Sequence, residues 1–272
     1  MKFAFVLIFV ISSSNIFAAD TTHFSCKYRY TFQKDSTNPA IKSNDIMILV
    51  IDSTSSVYYS LLKQIGISNF EKKMLDPKVQ NEPLKIGPGN ANEGASFFIG
   101  SETEIVKINY IKGETVVTNK FLEDSYGYKE NIEVPKWNIV SDTITILNQL
   151  CQKATTTYRG RNYEAWFALN IPISKGPWLL NGLPGMILKA NDDKNQFVFE
   201  CLELNISKEI TNEFKFYANT RFVAKSMYQE KKKLFAQNLV EYLKSNGISV
   251  KNSSGDQIVR PNKPYNPIDL SK

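Results

Sequence analysis

The sequence contains few of the residues on which most hydrolytic and metal chemistry depends. Its 272 residues include one histidine, His23, and three cysteines, none of them in a C-x-x-C pair. A Ser-His-Asp or Cys-His mechanism would have to use that single histidine, and zinc normally needs several histidine or cysteine ligands. P-loop, dinucleotide-binding and GxSxG patterns are also absent. We therefore predict no metal and no cofactor, and only carboxylate-based catalysis stays open.

The three cysteines, Cys26, Cys151 and Cys201, leave two redox states open. In an oxidising compartment their number is compatible with one disulfide and one remaining thiol, but the spacing does not choose the pair. The alternative is three reduced, buried cysteines that act as small hydrophobic residues.

Long apolar runs are lacking beyond the N-terminus. One lysine, an apolar run from Phe3 to Ile11 and small residues at Ala18 and Ala19 follow the order of a secretory signal peptide. The run is too short to span a bilayer, which needs about 20 apolar residues. The sequence predicts a signal peptide at residues 1–18, cleaved after Ala18, and a periplasmic or secreted protein with no transmembrane segment after cleavage.

Charge of one sign is not concentrated anywhere. The net charge of +6 is spread along the chain, apart from three consecutive lysines at 231–233. Nucleic-acid-binding proteins usually gather lysine and arginine in a stripe or patch, so we expect no nucleic-acid partner.

Aromatic residues are abundant and lie in alternating patterns. The chain has 13 Tyr and 17 Phe, and segments such as residues 23–33 alternate apolar and polar side chains, as antiparallel strands do. From Arg221 to Ser245 apolar residues recur at steps of three and four, which predicts a helix that stops near Gly247. We predict an α+β fold, mostly antiparallel β, with a large curved or partly closed sheet and one long C-terminal helix.

We expect a single β-rich domain over residues 19–260, with a long loop at 76–96 that is rich in Pro, Gly and Asn. Residues 61–75 predict a short helix, and tight hairpin loops are predicted at 112–114 and 191–196. Residues 261–272 contain three prolines and predict an extended tail that is laid over the surface or frayed.

The candidate ligand-binding side chains lie close together: Arg159, Arg161, Tyr163, Glu164 and Trp166. In a regular strand the arginines and the tyrosine share one face, whereas a bulge at Gly160 would reverse that assignment. In one interpretation these three converge in a cavity for a carboxylate or phosphate. In the other, the guanidinium groups pair with acidic neighbours while their stems cover apolar surface, which is common and is favoured here.

Carboxylate catalysis would use residues such as Glu164 and Asp192. It needs two carboxyl groups within roughly 10 Å of each other, in different environments. The doublet Asp192–Asp193 does not supply such a pair alone, because adjacent strand residues point to opposite faces.

Residues 176–185 crowd Gly-Pro, Asn-Gly and Leu-Pro-Gly into ten positions. Pro184 suits the second position of a type II turn and Gly185 the third, where a positive φ is required. A strand carrying Met186, Leu188 and Ala190 on one side is predicted to follow.

The block from 151 to 193, which includes CQKATTTYRGRNYEAWF and GPWLLNGLPGMILKANDD, resembles the GLPGLI family of exported proteins from Bacteroidota. The tail segment YNPIDL, residues 265–270, extends this resemblance, and Met186 replaces a leucine with little change in volume. The resemblance implies secretion and an association with outer-membrane transporters or other envelope proteins, but no catalytic residue or cofactor. The positions that it marks as family-defining are Trp166, Pro172, Gly176, Pro177, Gly182, Leu183, Pro184 and Gly185.

From these observations we favour an exported, non-enzymatic binding protein for an apolar or peptide ligand or for an outer-membrane partner. The alternative is a carboxylate-dependent hydrolase acting on envelope or peptide substrates. A third possibility is a structural component of an envelope assembly.

Overall fold

The computed structural model describes residues 23–66, 104–121, 124–207, 217, 219–247 and 261–271. The predicted signal peptide and the predicted loop at 76–96 lie outside these residues. Of the predicted helix at 61–75, residues 61–66 are described and are helical.

Twelve strands form one open sheet, and every pair of neighbours is antiparallel except β12 and β6. In the sheet the order is β12-β6-β5-β4-β3-β2-β1-β11-β10-β9-β8-β7. The strands are β1 (His23–Gln33), β2 (Lys42–Ile51), β3 (Ser55–Ser60), β4 (Ile105–Asn109), β5 (Glu114–Phe121), β6 (Asp124–Asn131), β7 (Asn138–Ile146), β8 (Gln149–Tyr158), β9 (Arg161–Ala168), β10 (Ile187–Asp192), β11 (Phe197–Ser207) and β12 (Arg221–Phe222). The predicted α+β fold with a large, mostly antiparallel sheet is confirmed.

The main core lies on one face of the sheet and is rich in aromatic rings. Tyr30 stacks on Phe32 and on Phe199, with centroid distances of 4.8 Å in both pairs. The Tyr28 hydroxyl donates a hydrogen bond to the Ile187 carbonyl at 2.6 Å, so strand β1 is tied to β10 across the core. The alternating strand predicted at residues 23–33 is therefore β1, which lies in the middle of the sheet.

All three cysteines are buried and are free thiols. Burial raises the pKa of the Cys26 thiol well above its ordinary value and also raises that of Cys151. The structure corresponds to the second alternative from the sequence, in which the cysteines act as small core residues.

The predicted C-terminal helix is present, but it is divided at Asn238 into two helices. Helix α1 spans Lys225–Gln237 and helix α2 spans Leu239–Ser245. Asn238 between them has φ −151°, and its side chain accepts a hydrogen bond from the Glu241 amide at 3.1 Å, which caps α2. Gly247, with φ 78°, follows the last turn as predicted. None of the helices in the described residues is long and apolar enough to cross a membrane.

The glycine-rich segment forms a corner that leads into β10, as predicted, but its glycines have other roles than expected. Gly182 has a positive φ of 92°, whereas Gly185 does not, so the predicted turn geometry at Gly185 is wrong. A Cβ at Gly185 would lie 2.0 Å from the Ala168 carbonyl oxygen, so close backbone approach requires glycine there. The corner is part of the core, since Leu180 and Leu183 are almost fully buried.

Candidate functional site

The candidate arginines lie at a tight turn between β8 and β9. Arg159 and Gly160 have φ values of 51° and 75° and connect Tyr158 to Arg161, which pair with each other. Two successive positive φ angles are typical of a type I′ hairpin turn. Gly160 is therefore a turn residue and not a strand bulge, and Arg159 lies in the turn rather than on a strand face.

Arg161 begins β9 and is buried, with 6% of its side chain exposed. Its Nη1 donates to Asp192 Oδ2 at 3.1 Å and to Gln196 Oε1 at 2.9 Å. The guanidinium carbon lies 4.3 Å from the centroid of the Phe197 ring. Asp192 also accepts a hydrogen bond from the Phe197 amide at 2.8 Å, so the turn between β10 and β11 fixes this carboxylate beside the arginine.

The remaining donors of Arg161 point to the C-terminal tail, residues 261–271. Nε donates to the Ile268 carbonyl at 3.2 Å, and Nη2 donates to Asn266 Oδ1 at 2.8 Å and to the Pro267 carbonyl at 2.5 Å. All five N–H groups of the guanidinium are therefore used, three of them on the tail.

Arg159 is buried among carboxylates. It makes a bidentate contact with Glu130 at 2.8 and 3.2 Å and ion pairs with Glu133 at 2.9 Å and with Asp269 of the tail at 3.2 Å. Lys225 of α1 joins this network at 3.1 Å from Asp269 and 3.3 Å from Glu130. Burial opposes the charge of Arg159, but the hydrogen bonds and charge interactions with Glu130 and Tyr158 together outweigh it, and the pKa of Arg159 is raised.

The tail itself is extended, without helix or strand, and its backbone is also bound. Leu270 N–H donates to the Arg159 carbonyl at 2.9 Å, and Asn266 N–H donates to the Lys34 carbonyl at 3.0 Å. A Cβ at Gly160 would lie 2.7 Å from Leu270 Cβ, so the glycine makes room for the tail. The predicted tail laid over the surface is thus held in a groove, which we call the tail groove: the β8–β9 turn, the end of β1, the β10–β11 turn and α1.

Tyr163 lies on the inner face with Arg161, but it is part of the core. Its ring centroid is 6.4 Å from that of Trp178, and its hydroxyl has no hydrogen-bond partner among the described residues. Burial raises the pKa of this hydroxyl strongly.

Glu164 and Trp166 lie on the outer face of β9, away from the arginines. Glu164 pairs with Lys153 of β8 at 2.5 Å, and the same ammonium lies 5.5 Å from the centroid of the Trp166 ring. Asp192 is fully buried on the inner face. Glu164 and Asp192 therefore lie on opposite faces of the sheet and do not form the carboxylate pair that hydrolysis would need.

The partners of the two arginines could not be predicted from the sequence. All four partners, Glu130, Gln196, Asn266 and Asp269, are far from residues 159–161 in sequence, and Glu130 and Gln196 belong to no motif. The one available signal was the tail segment YNPIDL, which shares the resemblance with the block at 151–193. Among the residues that the structure describes, no group of three or more His, Cys, Asp or Glu side chains could hold a metal ion.

Among known proteins, the same segment is similar to a family of unknown function. Residues 158–189, from the arginine turn into β10, match the family model Porph_ging, a protein of unknown function named for Porphyromonas gingivalis, a member of the Bacteroidota. This match does not confirm the GLPGLI family by name. No curated protein matches the chain significantly in sequence.

Among solved structures, PNGF-II in its P21 crystal form has a similar fold, with a TM-score of 0.50 and 15% sequence identity. The similarity covers 78% of this chain and 34% of PNGF-II. The C2 crystal form of PNGF-II gives a TM-score of 0.48 and 14% identity, over 78% of this chain and 33% of that one. The chain is thus similar in fold to about a third of PNGF-II, and its residues 158–189 are similar to a Bacteroidota domain of unknown function.

Proposed function

We propose that this chain is an exported, non-enzymatic binding protein whose ligand is an extended peptide, bound in the tail groove. The observation that carries this proposal is the set of bonds between Arg161 and the tail. The guanidinium binds two backbone carbonyls and one side-chain amide of a segment that has no secondary structure of its own. Backbone recognition combined with a few side-chain contacts is a general way to bind extended peptides.

In this proposal the chain's own tail occupies the groove. Withdrawing the tail would remove three acceptors from the Arg161 guanidinium, and each hydrogen bond to a charged group is worth about 1.5–3 kcal/mol. We therefore expect an extended peptide to replace the tail in the groove, so that the hydrogen bonds of Arg161 are made again. A tethered segment competes at an effective concentration in the millimolar range, which weakens the apparent affinity for any free peptide.

The export part of the proposal rests on the order of charge, apolar run and small residues at the N-terminus. Mass spectrometry of the protein purified from its native host should give a chain that begins at Ala19. A mature chain that retains residues 1–18 would contradict export by this route. The proposed partner is an outer-membrane transporter or another envelope protein that presents the peptide.

Peptide binding is tested with a labelled copy of residues 261–271 added to the full-length chain. The double variant Asn266→Ala/Asp269→Ala weakens the tethered tail and leaves the groove side chains intact. We expect the peptide to bind this variant at least tenfold more tightly than the unaltered protein, measured by fluorescence anisotropy. The reason is that the competing tail has lost its side-chain contacts with both arginines, although its backbone contacts remain.

Two controls keep this test specific. The peptide with alanine in place of its Asn and Asp should bind much more weakly. Adding Arg161→Lys to the double variant should also remove most of the affinity, because lysine keeps the charge but not the planar fork of donors. If the native-sequence peptide binds neither protein, or if the alanine peptide binds equally well, the groove is only a structural anchor for the tail.

A further inference from the structure

A second site lies beside the tail groove, in a cavity of about 680 Å³ between α1, β6 and the tail. Helix α1 contributes Tyr228 and Lys232, strand β6 contributes Tyr128, and the tail contributes Tyr265 and Asp269. The volume lies within the range of small-molecule sites in proteins, about 300–1,000 Å³. The tail motif YNPIDL forms part of its wall, but no sequence motif includes the lining residues of α1 and β6.

Glu104 offers a hydrogen-bond acceptor in the cavity. Its Oε1 accepts hydrogen bonds from the Tyr228 hydroxyl at 2.9 Å and from Lys232 Nζ at 2.8 Å. Its Oε2 has no hydrogen bond within the described part of the chain. The carboxylate is thus fixed through one oxygen and can accept hydrogen bonds with the other.

Tyr128 provides the second unused polar group. The residue is 4% exposed and lines the cavity, and its hydroxyl makes no hydrogen bond to any described residue. The hydroxyl oxygen is reached from the cavity, because it is not one of the fully buried polar atoms without a partner. A ligand atom in the cavity can therefore hydrogen-bond to it.

Aromatic rings form much of the wall. The rings of Tyr128 and Tyr228 lie 5.0 Å apart between centroids, and Tyr265 of the tail also lines the cavity. The faces of such rings attract cations. The Tyr128 ring already has one ammonium group near it: Lys225 Nζ lies 5.7 Å from its centroid.

The charged side chains around the cavity determine which acceptors a ligand can use. Three carboxylates line it, Glu104, Glu230 and Asp269, against the two ammonium groups of Lys232 and Lys233. Asp269 is neutralised by Arg159 and Lys225, and Glu104 is shared with Lys232. The acceptors that stay available for a ligand are therefore Glu104 Oε2 and the Tyr128 hydroxyl.

We propose that this cavity binds a primary ammonium or guanidinium group, which donates hydrogen bonds to Glu104 and Tyr128 and lies against the tyrosine rings. The cation comes either from a small free amine or from a lysine or arginine side chain of a bound peptide. This inference does not rest on peptide exchange in the tail groove, because the cavity exists with the tail in place. A bound cation would stabilise the docked tail, since the tail forms one wall.

The test is titration of the full-length protein with butylammonium and butylguanidinium, followed by NMR chemical shifts, with butyrate as the anionic control. We expect saturable binding of the two cations with a Kd on the order of 1 mM, as is typical of such small ligands. Tyr128→Phe and Glu104→Gln should each weaken binding at least fivefold. Glu241→Gln, an exposed carboxylate of α2, is the matched control and should not change it.

The outcomes separate the proposal from its alternatives. Tyr128→Phe removes one oxygen without changing the ring, so it tests the site even if Glu104→Gln fails to fold. A lysine-containing peptide that binds more tightly than butylammonium identifies a side chain as the source, and the reverse order identifies a small amine. Binding of butyrate as tight as that of butylammonium, or unchanged affinity in both variants, would overturn the proposal, as would the absence of saturable binding at millimolar concentrations.

Discussion

Arg161 at the start of β9 and Asn266 in the tail are joined by a hydrogen bond between their side chains. Arg161 Nη2 donates to Asn266 Oδ1 at 2.8 Å, and Asn266 Nδ2 donates in turn to the Gln33 carbonyl at 2.9 Å. Strands β9 and β1 are separated in the sheet by β10 and β11. One tail side chain therefore bridges two strands that do not pair with each other.

We expect Asn266→Ala to loosen the tail more than any other single alanine in residues 261–266. It removes a bond to a charged donor, worth about 1.5–3 kcal/mol, together with a bond to a backbone carbonyl. Hydrogen exchange followed by mass spectrometry should show faster exchange in residues 261–271. Asn262→Ala is the control, because it loses only one neutral hydrogen bond, from Asn238 at 3.0 Å. Equal effects of the two variants would contradict a special role of Asn266.

Asp192 and its neighbour Asp193 make a matched pair for testing the buried ion pair. Asp192 is fully buried against Arg161, whereas Asp193 is exposed. Asp192→Asn leaves the Arg161 charge without its counterion and should lower the free energy of unfolding by about 3–5 kcal/mol. Asp193→Asn should change it by less than about 0.5 kcal/mol, as surface substitutions usually do. Urea denaturation measures both, and similar values would show that the ion pair is not structurally important.

Much of the fold could be predicted from the sequence because alternation and turn chemistry are local signals. The alternating residues of β1, the loop at Gly113 and the hairpin before β11 follow directly from them. The break at Asn238 was missed because apolar residues continue at helical spacing on both sides of it, so the periodicity alone cannot show where one helix ends.

The site was harder to predict, because its contacts span large separations in sequence. The sequence singled out Arg159 and Arg161 as candidates, but their partners lie up to 110 positions away. The role of Gly160 was also mistaken, since a bulge and a two-residue turn both need glycine. The cavity at Glu104 and Tyr128 had no sequence signal, because it is formed by three elements that meet only in the folded chain.

Alanine substitutions at Gly160 and Gly113 separate the cost of backbone strain from the loss of contact with the tail. Both have a positive φ, 75° and 64°, but an added Cβ would lie 2.7 Å from Leu270 at Gly160 and would meet nothing within 4 Å at Gly113. Alanine at either position should cost about 1–2 kcal/mol for the left-handed conformation. Only Gly160→Ala should also accelerate hydrogen exchange in residues 261–271. If Gly113→Ala had the same effect on the tail, global destabilisation and not the contact would explain it.

Asp269 makes docking of the tail depend on pH. Burial would raise the pKa of this carboxyl, but the hydrogen bond from Ser271 and the charges of Lys225 and Arg159 outweigh it and lower the pKa below 3.8. A lowered pKa in the docked state means that the contribution of Asp269 is complete above its ordinary pKa and is lost as the pH falls through the docked value. The NMR signal of the Leu270 amide, which donates to the Arg159 carbonyl, should therefore stay constant from neutral pH down to about pH 5 and shift only in more acidic solution. Asp269→Asn should remove this acid transition, because the amide does not titrate. An acid transition of Leu270 that is unchanged in Asp269→Asn would show that another group controls docking of the tail.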